Sequence, residues 1–421
     1  MRKKFLMLLT LLMLLLSTVV HAADYQLEKV LVFSRHNIRA PLTRNASVLN
    51  TMTPHQWFNW TSAPGDLSLR GGELETLMGQ YFRKYLVSQR FMSENYIPTG
   101  DEFRFYSNTR QRTIATAQYF SSGMLPIANV RIEHQADMSK MDPVFHPKLT
   151  IVNDKFIAEA TRQLNMMGGA EGLNGVNKSL TNNYLLLEKV LDFDQSKMHL
   201  EQGIEHFSAK DIEPVFELNQ EPSLSGVSSL KLANQAADSL ILQYYEEPDA
   251  KKAAFGHKLK PAQWEAISQI KDVYGDVLFG APVIATNVAH PLLKLMRDEL
   301  ALDSRRFTFL CGHDSNIASI LSALNVEYYS LPDTIEKKTP IGSKILIEKW
   351  RGSDGQEYAT LSLVYQSTDQ IRNRTMLDLD NPPQIYRLKL RGLDKNIDGY
   401  YRFADVQHRF AEAIDAYYQL Q

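Results

Sequence analysis

The chain has 421 residues, 44% of them hydrophobic, with 46 Lys and Arg against 48 Asp and Glu. A formal charge of −2 offers no global attraction to nucleic acid or anionic lipid, so any anion binding must come from a local cluster. One hydrophobic core rarely grows to this length, so two lobes are expected; the only cysteine, Cys311, excludes a disulfide within the chain and leaves stability to packing.

Arg2, Lys3 and Lys4 precede an apolar run over 5–16, and Val20-His21-Ala22 ends on a small residue. This is the order of a secretory signal, predicted over 1–22, and it is too short and wrongly flanked for a stable membrane span. No cysteine lies near the cleavage point, so a lipid anchor is not indicated. Without Arg2, Lys3 and Lys4 the chain keeps 43 basic against 48 acidic side chains, a charge of −5. The mature chain is expected to be exported and soluble, with no membrane or nucleic-acid partner.

Residues 29–33 are apolar after Lys29, as a strand buried on both faces of a parallel sheet requires. They lead into Ser34-Arg35-His36-Asn37-Ile38-Arg39-Ala40-Pro41, and Pro41 stops another regular element from starting at once. Ligands of open α/β sheets sit beyond the carboxyl ends of strands, where Arg35, His36 and Arg39 fall. Each guanidinium presents a planar fork of donors that fits phosphate oxygens in pairs, and a neutral imidazole between two forks is a nucleophile aimed at what they hold. A solvated basic loop with a chance histidine is the competing reading of so short a motif.

Over 66–86, Leu74, Leu77, Met78, Tyr81, Phe82 and Tyr85 recur at helical spacing. Residues 103–107 read as a short aromatic strand, with Asn108 or Thr109 as the cap of a helix through 113–120. Arg110 and Arg112 thus stand at a second strand end, at a helix start that itself favours anions. The pattern weakens over 136–258, broken by Gly168, Gly169, Gly172 and Gly175, with helices around 184–191 and 233–246; this stretch is expected to be a second, smaller and mainly helical domain. Helices resume over 261–274 and 291–302, the latter with Pro291 in its first turn. A buried strand over 307–311 then delivers Gly312-His313-Asp314-Ser315-Asn316, and segments 344–350 and 358–365 alternate or run apolar like strands joined at Ser353-Asp354-Gly355.

The expected fold class is α/β: a mostly parallel central sheet flanked by helices, formed by 23–135 with 259–421, and the helical domain at 136–258. No phosphate-binding glycine loop, dinucleotide fingerprint or metal-ligand spacing occurs among the eleven histidines, so neither cofactor nor metal is expected. His199 and His206 read as a surface pair.

Three strand ends supplying Arg35-His36-x-x-Arg39-x-Pro41, Arg112 and His313-Asp314 resemble the histidine acid phosphatases, the branch of the histidine phosphatase superfamily that includes bacterial phytases. The resemblance spans nearly the whole mature chain and is strongest to the periplasmic glucose-1-phosphatase group, through the segment 34–41, Gln111-Arg112-Thr113, Met141-Asp142-Pro143, Leu242-Gln243-Tyr244-Tyr245-Glu246, 312–319 and Thr339-Pro340-Ile341-Gly342. It implies a periplasmic acid phosphatase acting on glucose 1-phosphate or related sugar phosphates. His36 would form a phosphohistidine, Asp314 would be the general acid, and Arg35, Arg39, Arg112 and His313 would clamp the phosphoryl oxygens. Because Asp314 has to donate a proton, an acidic pH optimum follows. Most members have glycine where Asn37 stands, and a side chain there is expected to narrow the approach to phosphate; the glucose-1-phosphatases share the asparagine. The resemblance also places Glu246 near the pocket mouth, where it would repel polyphosphorylated rings. A phytase or broad acid phosphatase is the near alternative, and an inactive phosphosugar-binding protein the distant one.

Overall fold

The structure, a computed structural model, describes residues 25–42, 48–226 and 228–421. The signal peptide expected over 1–22 lies outside the described residues. The strands are β1 (Tyr25–Arg35), β2 (Phe103–Ser107), β3 (Ile132–Glu133), β4 (Pro214–Val215), β5 (Ser223–Leu224), β6 (Phe307–Gly312), β7 (Lys344–Gly352), β8 (Glu357–Tyr365), β9 (Gln384–Arg387) and β10 (Tyr401–Arg402). β4 and β5 form a small ribbon, and the others one eight-stranded sheet in the order β10-β8-β7-β1-β6-β2-β3, with β9 also on β8.

β1, β6, β2 and β3 are parallel, whereas β7, β8, β9 and β10 pair antiparallel. The expected parallel sheet is therefore the half that carries the site. β7 and β8 are joined by a tight turn, which can only reverse the chain. In the parallel half Ser34 and Ser107 both lie opposite Cys311, so the carboxyl ends of β1, β6 and β2 finish level.

Alternation along β1 explains the layers. Leu31 and Phe33 pack on one face with the helices Pro282–Ala301, Asp314–Ala323 and Phe403–Tyr418. Val30 and Val32 pack on the other with Leu69–Ser88 and Gln111–Met124. A further core joins Asp154–Met167, Thr181–Leu191, Ser229–Glu246 and Pro261–Gly275, through Phe156, Tyr184, Leu187, Leu240 and Trp264.

Two expected helix starts are corrected. The helix read from Pro291 begins at Pro282 and runs to Ala301 with Pro291 inside it. Residues 283–290 are all buried, which removes the polar face that periodicity needs, and the missing Pro291 amide costs the helix only one rung. The Gln111–Met124 helix has Arg110 at its N-cap position, with no side-chain capping bond, while the Asn108 side chain is engaged elsewhere.

Candidate active site

The three level strand ends open into a cavity of about 960 Å³ lined by Arg35, His36, Arg39, Arg112, His313 and Asp314. The rings of His36 and His313 stand 5.5 Å apart at 71°. β1 ends at Arg35, so His36 leaves the sheet with its amide still donating to Gly312 at 3.1 Å. The chain beyond turns against the Leu69–Ser88 helix, whose Ser68 cap amide donates to Ile38. A Cβ on Gly71 would lie 2.5 Å from the Ile38 oxygen, so only glycine lets the helix approach so closely.

His36 Nδ1 lies 2.9 Å from the Asn37 carbonyl. A carbonyl only accepts, so Nδ1 carries the proton and Nε2 holds a free lone pair. Burial, then the charges of Arg112, His313, Arg39 and Arg35, hold the His36 pKa well below its ordinary value, and the ring stays neutral into the acid range. His313 is lowered in the same way by burial and Arg112. Its Nε2 is 2.8 Å from Asn108 Nδ2, while Asn108 Oδ1 accepts from the amides of Thr109 and Asp142. The Asn108 amide thus donates to Nε2, and neutral His313 has its own proton on Nδ1. Asp142 is itself fixed by the Tyr106 hydroxyl at 2.5 Å, so β2 and the Met141-Asp142-Pro143 segment orient His313 through Asn108.

The arginines are held by a chain of alternating charges. Arg35 donates to Glu336 at 3.1 Å and to the Thr339 carbonyl, and pairs with Asp314 at 3.1 Å. Arg39 pairs with Asp238 at 3.0 Å. Lys271 closes the chain, 3.1 Å from Asp238 and 3.0 Å from Glu336. Burial opposes the charge on Asp238, yet Arg39 and Lys271 hold it far below the usual carboxylate range. Among the described residues Arg112 has no carboxylate within pairing distance and one hydrogen bond, to the Gly65 carbonyl at 3.3 Å; burial with Arg39 pulls its pKa down to about 10. The Nε atoms of Arg35, Arg39 and Arg112 are buried without partners among the described residues. All three residues line the cavity, so guanidinium donors that no protein acceptor takes are grouped around it.

Asp314 faces the cavity with 47% of its side chain open. Burial raises its pKa, but Arg35 and then Lys271 outweigh this and hold it below the usual value, so the resting group is a carboxylate. Asp238, Lys271 and Glu336 escaped the sequence reading, and Asn108 entered it only as a candidate helix cap. Asp238 left a trace, a charge inside the apolar run of the Ser229–Glu246 helix.

Two expectations are corrected by geometry. Glu246 does not line the cavity; it accepts from Ser68 at 2.8 Å beside Arg70, and the carboxylate that helix sends into the cavity is Asp238, two turns earlier. The Asn37 side chain does not narrow the cavity either: it is buried and donates to Glu75 at 2.8 Å, away from the cavity. His199 and His206 are not a shared site, since His206 pairs with Glu188 and His199 packs on Phe193. Among the described residues no group of three or more His, Cys, Asp or Glu converges as metal ligands would.

Comparison with known proteins gives the family and the fold. The family model of the histidine phosphatase superfamily, branch 2, matches residues 26–373. A glucose-1-phosphatase of Providencia rettgeri is 35% identical over 93% of either chain. A glucose-1-phosphatase of Salmonella typhimurium is 37% identical over 92% of this chain and 93% of its own. Among solved structures, the apo form of Hafnia alvei phytase superposes with a TM-score of 0.84 at 26% identity, covering 93% of this chain and 98% of that one.

Proposed function

Because the chain belongs to branch 2 of the histidine phosphatase superfamily and is a phosphatase, we propose that it is a periplasmic enzyme that hydrolyses singly phosphorylated sugars, glucose 1-phosphate foremost, through a phosphohistidine at His36. The observation that carries this reading is the free Nε2 of a neutral, buried imidazole set among Arg35, Arg39 and Arg112.

The phosphoryl group binds to the unspent guanidinium donors and to His313, which spread the charge of a loose transition state. His36 Nε2 attacks phosphorus in line as the bond to the sugar oxygen breaks, and Asp314 gives its proton to that oxygen. Water then attacks the phosphohistidine, and its proton returns to Asp314. The resting Asp314 is ionised by Arg35, but a phosphate that takes up Arg35 and adds negative charge favours its protonation. Neutral His36 and protonated Asp314 coexist only under acid conditions, hence an acidic optimum.

The cavity walls support a single phosphate. Arg35, Arg39, Arg110, Arg112, Lys271 and Lys338 face seven acids: Asp66, Glu221, Asp238, Asp272, Asp276, Asp314 and Glu336. With Leu42, Leu49, Met138, Met141 and Phe279 around them, these walls suit a neutral sugar better than a ring with six phosphates. Phosphate release from glucose 1-phosphate and from phytate, each with a His36→Ala control, tests the reading. Hydrolysis of glucose 1-phosphate that survives His36→Ala, or a preference for phytate, would overturn it.

A further inference from the structure

Directly behind the nucleophile, and outside the cavity lining, lie three buried polar residues: Asn37, Glu75 and Lys344, at 1%, 0% and 0% exposure. Lys344 Nζ reaches both Glu75 oxygens at 3.1 and 3.0 Å, Ser34 Oγ at 3.0 Å and the Gly342 carbonyl at 2.9 Å. Asn37 Nδ2 donates to Glu75 Oε1 at 2.8 Å, its Oδ1 accepts from the Ile38 amide at 2.9 Å, and its own amide donates to Thr116 Oγ1 at 3.2 Å. The Gly342 amide donates to the His36 carbonyl at 3.2 Å. Gly342 has φ +66°, and a Cβ there would lie 2.4 Å from Asn37 Nδ2. The side chain of Asn37 thus fills a space that the opposite loop leaves open.

We propose that Asn37 is a positioning residue: its amide, anchored on the buried Glu75–Lys344 pair, fixes the peptide whose carbonyl holds the His36 Nδ1 proton. A buried ion pair is weak evidence of stabilisation, since apolar residues of the same volume often serve as well. What such a pair does supply is a rigid acceptor. Burial pushes the Glu75 pKa up, while Lys344 and the Asn37 amide oppose this, so the acceptor is shared between both partners. Loss of the anchor frees the Asn37 carbonyl to turn. The neutral ring then divides between two tautomers, and in one of them the attacking nitrogen carries the proton.

This inference rests on His36 being the nucleophile, and its test has a readout that does not. Ring ¹⁵N shifts of labelled histidine, assigned by loss in His36→Ala, should place the wild-type proton on Nδ1 and show a mixture in Asn37→Ala. The same variant should lose about tenfold to a hundredfold in kcat with KM changed less than about threefold, because the arginine grip is untouched. Glu75→Leu with Lys344→Met removes the acceptor and should behave alike. Glu75→Gln with Lys344→Met keeps an amide oxygen for Asn37 and should recover about tenfold of that kcat. If Asn37→Ala folds, keeps a pure Nδ1–H tautomer and keeps its kcat, the proposal is wrong. If instead His36→Ala stays active, the nucleophile assignment fails while the tautomer result stands by itself.

Discussion

Two charged hollows occupy opposite ends of β1, and only one is built to take an anion. At the amino end a notch of about 370 Å³ is lined by Lys29, Arg305, Arg306, Lys349 and Arg351 against Glu28, Asp303 and Glu357, a formal excess of two positive charges. The cavity at the carboxyl end carries one more acid than base. In the notch, however, Lys29 donates to the carbonyls of Leu300 at 2.9 Å and Leu302 at 2.6 Å, closing the end of the Pro282–Ala301 helix. Arg351 is spent on Glu28 and Glu357, and Lys349 on Glu357 at 2.8 Å. In the cavity, among the described residues, Arg112 has no carboxylate within pairing distance and the Nε atoms of Arg35, Arg39 and Arg112 have no partner. Arg305 Nε in the notch also lacks a hydrogen bond, but it lies 3.4 Å from Glu299. Unspent donors beside the proposed nucleophile, not the sum of charges, distinguish the two.

That contrast breaks most directly at the nucleophile. His36→Ala should lower phosphate release from glucose 1-phosphate by on the order of 10⁴-fold or more, the scale of losing a covalent nucleophile. A paired test follows from the arginines. Arg112→Ala should cost about 10²- to 10³-fold in kcat/KM, as expected for a donor to developing charge. Arg351→Ala, in the more positive hollow, should leave kcat/KM within about twofold and stability within about 1 kcal/mol. Steady-state kinetics and thermal unfolding of both variants decide it. Equal losses from the two substitutions would mean that net charge matters after all.

The floor of the cavity was legible in the sequence because it is built from strand ends. β1 and β6 are buried on both faces, so their apolar runs stand out, and the polar residues that follow must sit at the carboxyl end of the sheet. The walls were not. Asp238 pairs with Arg39 across 199 positions and Glu336 with Arg35 across 301, contacts set by how one helix and one irregular loop dock on the strand end. Asn108 resembled a helix cap because asparagine serves there so often, and its part in holding His313 depends on Asp142 meeting it from another loop. Glu246 was placed by resemblance alone, and nothing local in the sequence distinguishes it from Asp238, the carboxylate of the same helix that lines the cavity.

Asp314 sharpens the contrast between resting and loaded states. Paired with Arg35, its carboxylate is held ionised, and the form that donates a proton is scarce above its lowered pKa. With phosphate bound, Arg35 is drawn to the ligand and the pKa rises. The alkaline fall of kcat, which reports the bound state, should therefore lie at higher pH than that of kcat/KM, which reports the free enzyme. Asp314→Asn should cost about 10²-fold or more on glucose 1-phosphate and much less on nitrophenyl phosphate, whose leaving group needs little protonation. Equal losses on both substrates would remove Asp314 from the role of acid.

The smallest expected effect concerns the wall that faces the sugar. Burial pushes the Asp272 carboxyl up to about 7, with Glu336 and Asp276 adding to the rise against the Lys337 amide, and burial raises Asp276 as well against Lys338. Below pH 7 Asp272 is mainly neutral and can both donate to and accept from sugar hydroxyls; as pH rises through 7 it becomes a second negative charge beside Asp276. Repulsion of a polyphosphorylated ring should then strengthen. The ratio of glucose 1-phosphate to phytate turnover is expected to increase a few-fold between pH 5 and pH 8, about what one added charge in a screened cavity supplies. Asp272→Asn keeps the acceptor for the Lys337 amide, removes the titration and should flatten that rise relative to wild type. Glu246→Gln, whose carboxylate is tied to Ser68 outside the cavity, should leave the ratio and its pH dependence where they were. A flat wild-type ratio, or a larger change from Glu246→Gln than from Asp272→Asn, would move selectivity from this wall to the pocket mouth.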